Sequence, residues 1–240
     1  MKIVQWEKQN DIAVITMCNE ANRQNLVFAE QMNQCLDQIL EDKTIFSIVL
    51  TSSDEKNFSQ GIDVEWLNQK FADKDFDSIK TFMYAMNTVF KRLLLMPLPV
   101  IAAINGHAFG NGAILSCACD FRFMRKDKGF FCFPEVDVNI PFLPGMMAFV
   151  RKAVPEYLFH DMLLSGRRLA ETELELKNVI VSASENQEEL LEQAMAYAGT
   201  FKKLRPIFGE LKKRKHKEII RIIEEEDPEF IEPLNLMMKS

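Results

Sequence analysis

Glu135 directly follows a phenylalanine-rich, β-prone run, Phe130 to Phe133, and a proline. Upstream, Gly106, Gly110 and Gly112 punctuate the passage from an apolar strand, Pro99 to Ile104, into an apolar helical run, Ala113 to Cys119. Glycine lets the backbone adopt φ > 0 and approach a ligand closely. The unpaired N–H groups that open a helix, with its dipole, favour an oxygen carrying negative charge. Backbone donors for an oxyanion plus one carboxylate suffice for proton transfer next to a carbonyl. In an apolar pocket, desolvation would raise the pKa of Glu135 and suit it to acid/base exchange. Its local sequence alone reads as an exposed glutamate at a strand end.

Other chemistries lack their residues. His107, His160 and His216 are isolated and read as structural. The five cysteines, Cys18, Cys35, Cys117, Cys119 and Cys132, lie scattered in apolar contexts and read as reduced, buried thiols. Cys117 and Cys119 do not have metal-ligand spacing, so no metal site is expected. Gly110-Asn-Gly112 lacks the third glycine of a dinucleotide fingerprint, and no Gly-x-Ser-x-Gly elbow occurs.

The elements that must hold Glu135 and the glycines follow from periodicity. Residues 3 to 6 and 12 to 17 read as a strand hairpin turning at Gln9-Asn-Asp11. From Leu26 to Leu40 apolar residues recur with a helical period, and Phe46 to Leu50 is a short buried strand. Thr51 to Asp63 reads as a polar loop leading into a helix. Residues 64 to 96 are helical, with a charged interruption from Lys70 to Asp77, and Pro97-Leu-Pro99 stops them. Phe121 to Met124 and Phe130 to Phe133 are expected to form a hairpin around Arg125-Lys-Asp-Lys-Gly129. Helices are expected at 146–154, 157–164, 188–204 and 207–226. The basic run Lys212 to Lys217 reads as a solvated face.

Hydrophobic residues make up 48% and charged residues 27% of the 240 residues, the balance of a globular chain. The formal net charge of -6 argues against nucleic acid or an anionic membrane as a partner. Met1 to Glu7 lacks the apolar core of a signal peptide, and no apolar run approaches spanning length. Met237-Met-Lys-Ser240 is not a Ser-Lys-Leu address. A cytoplasmic protein is the expectation.

Ile104-Asn-Gly106, Gly110-Asn-Gly112, Cys119-Asp120 and Pro134-Glu135-Val136, with Asn57-Phe-Ser-Gln-Gly61-Ile-Asp63 upstream, resemble the crotonase superfamily of enoyl-CoA hydratases and isomerases. The resemblance covers roughly residues 1 to 185 of the printed sequence. Asn105-Gly-His107 and Phe123 to Asp127 resemble most the Δ3,Δ2-enoyl-CoA isomerase branch. The resemblance implies an α/β fold, a crotonase-like spiral of ββα units over 1–185 that includes a short strand at Val179-Ile-Val181, with a helical C-terminal region, 186–240, that builds a homotrimer or a hexamer. It implies an acyl-CoA thioester as substrate, with coenzyme A part of that substrate and no separate cofactor. It places oxyanion donors at the Ile62 and Asn111 amides, the coenzyme A adenine along Phe58, Ser59, Gln60 and Gly61, and the acid/base group at Glu135. Gly110 and Ile114 complete the substrate-binding set. Asn111 stands where relatives often have glycine, which puts access to its amide in question. Family hydratases carry a second carboxylate at the position of Ile114, and isoleucine cannot accept a proton from water. The implied activity is therefore double-bond isomerisation by one glutamate in fatty-acid degradation, with hydration or a catalytically silent acyl-CoA-binding homologue as alternatives. Phe131, Phe133, Phe142 and Met146 are candidate pocket walls, and the basic run is a candidate for the coenzyme A phosphates.

Overall fold

The computed structural model describes residues 2–237. Met1 and residues 238–240, which hold most of the C-terminal tetrapeptide read above, lie outside the described residues. The chain opens with β1 (Val4–Gln9) and β2 (Ile12–Met17), an antiparallel hairpin turning at Asn10, whose φ is 57°. There follow β3 (Arg23–Gln24), α1 (Leu26–Glu41), β4 (Ser47–Ser52), β5 (Asn57–Ser59), β6 (Gly61–Ile62), α2 (Val64–Ala72) and α3 (Phe76–Leu95). The next set is β7 (Val100–Ile104), β8 (His107–Phe109), α4 (Asn111–Ala118), β9 (Phe121–Arg125), β10 (Phe131–Cys132) and α5 (Glu135–Val138). The last is α6 (Pro144–Val150), α7 (Glu156–Ser165), α8 (Glu171–Leu176), β11 (Ser182–Ser184), α9 (Gln187–Gly199), α10 (Arg205–Lys215), α11 (Lys217–Glu225) and α12 (Pro228–Ile231).

The turns that open with β4, β7 and β9 each give one strand to a large sheet and the next to a small one. The large sheet runs β1-β2-β4-β7-β9-β11, parallel from β2 onward, and the small parallel sheet runs β10-β8-β5. β3 and β6 form a third, parallel pair. This is the expected spiral. The central strands are buried on both faces, which is why Val100 to Ile104 reads as an unbroken apolar run. One face packs against α1, α3 and α4. The other is covered by α9, whose Leu190, Ala194 and Ala198 meet Val49, Ile101, Ala103 and Phe123. Glu185 and Asn186 connect β11 to α9.

Several sequence expectations need correction. β9 and β10 are not a hairpin, because β9 joins the large sheet and β10 pairs parallel with β8 in the small one. Gly129 makes that crossing possible: at φ 104°, a Cβ there would lie 2.5 Å from the Gly106 carbonyl carbon. Part of the expected loop 51–63 is ordered as β5 and β6. The strand expected at 179–181 is displaced to Ser182–Ser184, since Val179 and Ile180 are buried as core plugs. The helix expected over 188–204 stops at Gly199. The helix expected over 207–226 breaks at His216.

The basic run is also not wholly solvated. Lys212 is buried, and its ammonium donates to Asp120 Oδ2 (2.7 Å) and to the Leu93 carbonyl (3.0 Å) near the C-terminal end of α3. Arg122, also buried, donates to the Ser116 and Cys119 carbonyls at the end of α4. These cations satisfy helix-end carbonyls that would otherwise lack donors. We predict that Asp120→Asn, which leaves the Lys212 charge without its counter-ion, costs about 3 kcal/mol in urea unfolding. Removing both charges, as Asp120→Asn with Lys212→Met, should recover part of that loss.

Candidate active site

Gly61 and Gly112 are contacts as much as hinges. A Cβ on Gly61, whose φ is 83°, would lie 2.8 Å from the Phe109 carbonyl oxygen and 2.9 Å from the Asn111 nitrogen. A Cβ on Gly112 would lie 2.3 Å from the Ser59 carbonyl oxygen. The backbone of β5 and β6 therefore touches the start of α4 with no room for a side chain. Ile62 and Asn111, one from each of these two segments, line one cavity. Asn111 is the first residue of α4, and the first intrahelical bond there runs from Ile114 N–H to the Gly110 carbonyl (3.0 Å), so the Asn111 N–H has no helical acceptor. Asp63 N–H donates to the Gln24 carbonyl (2.9 Å). Successive amides of a strand alternate in direction, so the neighbouring Ile62 N–H turns away from β3.

The Asn111 side chain is engaged within the fold. Asn111 Nδ2 donates to Gln24 Oε1 (2.6 Å), while Gln24 Nε2 donates to Ser59 Oγ (3.1 Å). The carboxamide is held by this buried network, and Gly61 N–H joins it through Ser59 Oγ (3.2 Å). Gln24 is fully buried and was not singled out from the sequence, where it sits in an ordinary polar stretch. Only its burial marks it as a clamp on both amide-bearing segments.

The small sheet delivers the carboxylate. Gly110 N–H donates to the Cys132 carbonyl (3.1 Å), and Ala108 N–H donates to the Phe130 carbonyl (2.9 Å). This pairing carries Pro134 and Glu135 past Gly110, where a Cβ would stand 3.3 Å from Glu135 Oε1. Glu135 is the first residue of the short helix α5 rather than a strand end. There helix dipoles favour the anion by about 0.3–1 kcal/mol, less than one pKa unit. Burial opposes this and wins, raising the carboxyl from 4.5 to about 8. Glu135 Oε2 is buried with no hydrogen-bond partner among the described residues.

A cavity of about 140 Å³ joins these groups: Gln60, Ile62, Gly110, Asn111, Ile114 and Glu135 all line it. The rest of its wall is apolar, from Val64 and Leu67 of α2, Met83 of α3, Leu143 and Met146 around α6, and Phe142. Phe142 and Met146 are thus walls, as expected. Phe131 and Phe133 are core residues behind them, with Phe133 edge-on to Phe142 at 5.4 Å. Two further expectations fail in part. Phe58 and Ser59 expose no surface and do not line the cavity, because β5 is enclosed between β8 and α4. Neither residue can touch an adenine ring directly. Gly61 shapes the wall without lining it. His107 lies outside the cavity, with Nδ1 accepting from Phe130 N–H (3.2 Å). Among the described residues no group of three or more His, Cys, Asp and Glu side chains could hold a metal ion. No described helix is long and apolar enough to cross a membrane.

Residues 7–225 match the model of the enoyl-CoA hydratase/isomerase family. The chain is 29% identical over 195 residues to enoyl-CoA delta isomerase 3 of Arabidopsis thaliana, covering 80% of this chain and 82% of that protein. It is 29% identical over 143 residues to the short-chain-enoyl-CoA hydratase of Clostridium acetobutylicum, covering 58% and 51%. The crystal structure of an enoyl-CoA hydratase from Bacillus halodurans superposes with a TM-score of 0.86 at 23% identity, over 96% of this chain and 94% of that one, and so shares the fold.

A carboxyl raised this far makes stability depend on pH. In the folded chain Glu135 holds its proton up to about pH 8, whereas unfolded it ionises near 4.5. The folded state therefore binds more protons in that window, and stability falls as pH rises through it. Unfolding midpoints in urea should decline from about pH 4.5 to about pH 8. Glu135→Gln should remove that part of the decline.

Proposed function

This chain belongs to the enoyl-CoA hydratase/isomerase family, and from that premise we propose that it moves the double bond of a 3-enoyl-CoA to the 2-position. The single observation that carries the reading is the carboxylate of Glu135, its Oε2 buried and without a partner among the described residues, in the lining of an apolar cavity with no second acid at Ile114. The thioester oxygen would accept from the Ile62 and Asn111 amides. Glu135, ionised, takes a proton from C2, and the charge passes to the thioester oxygen as an enolate held by the two amides. The double bond then re-forms between C2 and C3 as Glu135 returns the proton at C4. One carboxylate serves both transfers, and no activated water is needed. Hydration needs a second group to take a proton from water, and the side chain of Ile114, in the first turn of α4, has none to offer.

The base must be ionised to act, so kcat/KM should rise about tenfold per pH unit below about pH 8 and level off above it. Glu135→Gln keeps the shape and cannot take up the C2 proton. It should lose roughly 10²-fold or more in turnover while thioester binding stays nearly intact. Ile114→Ala should reduce turnover only modestly. Folding of each variant is checked by circular dichroism. Wild-type turnover in a folded Glu135→Gln protein would sink the single-carboxylate mechanism. Turnover of 2-enoyl-CoA with water, but not of 3-enoyl-CoA, would instead assign hydration. Turnover of neither, with binding retained, would assign a silent acyl-CoA-binding homologue.

The two amides also imply a preference among ligands. Coenzyme A thioesters should bind, and the matching free fatty acids should bind poorly, because a free carboxylate would lose its hydration in the apolar cavity without the coenzyme A contacts. Calorimetry that finds equal affinity for the free acid would remove the thioester site. The proposed assembly is a homotrimer, supported by the exposed apolar residues Leu204, just before α10, and Ile207 and Leu211 on it. Sedimentation as a monomer at micromolar concentration would contradict it.

A further inference from the structure

The acyl cavity is closed in part by the C-terminal end of the same chain. Leu236 lines it beside Leu67, Met83, Phe142 and Met146, and is buried there. The segment that carries Leu236 is fastened at two places. Asp227 accepts from Gly145 N–H (2.7 Å) at the start of α6 and from Asn87 Nδ2 (2.9 Å) on α3. Gly145 has no room for a side chain, since a Cβ would lie 2.4 Å from Ile223 Cγ1 of α11. Glu232 then accepts from Tyr84 Oη (2.6 Å) and Lys80 Nζ (3.0 Å), both on α3. Between these bonds Ile231 is fully buried. Leu234 has φ 58°, a region that leucine rarely adopts, and it turns the chain just before Leu236.

We propose that this C-terminal segment sets the acyl-length limit of the site, with Leu236 as the residue that stops the chain. The inference rests on the thioester reading above. The cavity holds about 140 Å³. An apolar cavity of about 150 Å³ takes up one benzene, a six-carbon body. The substrates are therefore short-chain thioesters of about six acyl carbons or fewer. A longer chain must displace Leu236, and with it a segment held by Asp227 and Glu232.

The test is calorimetric titration of the full chain with butyryl-, hexanoyl-, octanoyl- and decanoyl-CoA. These saturated thioesters report binding without turnover. In the wild type, affinity should rise about fourfold per added methylene up to hexanoyl-CoA. It should then fall at least roughly tenfold by decanoyl-CoA, as methylenes that find no room return no burial energy. Leu236→Ala should move the optimum to octanoyl- or decanoyl-CoA and leave butyryl-CoA within about threefold, since the short chain does not reach the new space. Leu236→Phe should move the optimum the other way, which keeps the test sound if the smaller side chain loosens the fold. Glu232→Gln, remote from the cavity wall, should weaken the discrimination against decanoyl-CoA. Wild-type protein that binds decanoyl-CoA as tightly as hexanoyl-CoA would overturn the proposal, as would an unchanged profile in both Leu236 variants. If no thioester of any length binds, the thioester reading itself fails and takes this inference with it. A flat length profile with firm binding sinks only the length limit.

Discussion

The site depends on one steric constraint, the bare-backbone contact between β5–β6 and the start of α4. Gly61 against Asn111 and Gly112 against Ser59 leave no space for a Cβ. Side chains there would push the two segments apart, and Ile62 and Asn111 would no longer line one cavity. In the proposed mechanism backbone donors have an advantage over side-chain donors: their position is set by the sheet and the helix, and no rotamer entropy is lost when they meet an oxygen. The buried Gln24–Ser59–Asn111 network reinforces the contact.

The second determinant is the cost of burying Glu135. Its first-turn position in α5 favours the anion slightly, and desolvation disfavours it far more, so the neutral acid is the resting form at neutral pH. A group held near its switching point is suited to accept and then return a proton. The fold accepts a stability loss at alkaline pH in exchange. Gly110 belongs to the same arrangement, since its missing Cβ leaves space beside the carboxylate.

The C-terminal helices act as structural partners of this centre. Lys212 reaches from α10 to Asp120 and the end of α3. Asp227 ties α11 and α12 to Asn87 on α3 and to Gly145 on α6, next to the cavity wall. The charges that a reader of the sequence assigns to a solvated face are partly internal, and they hold the helices that complete the apolar wall. The remaining lysines of the run are exposed.

Much was legible from residue order alone. Alternation and apolar runs marked β2, β4, β7 and α3, because burial on one or both faces leaves a periodic trace. The glycines around Asn111 and the Pro134-Glu135 pair could be read as a site, because positive φ and close backbone approach require glycine whatever the partner. The absence of a carboxylate at Ile114 was likewise plain. Tertiary structure alone decided the rest. Phe121 to Phe133 looks like a hairpin, since two β-prone runs flank a polar turn. Only the competition between two sheets sends β9 and β10 to different partners. Phe58 and Ser59 looked like ligand contacts, yet enclosure by β8 and α4 removes their surface. Gln24, Lys212 and Leu236 carry no local signal, because each acts through groups 35 or more residues away, as Gln24 does on Ser59 and Asn111. The proton affinity of Glu135 belongs to the same class: its type is written in the sequence, and its pKa is set by what the fold removes from around it.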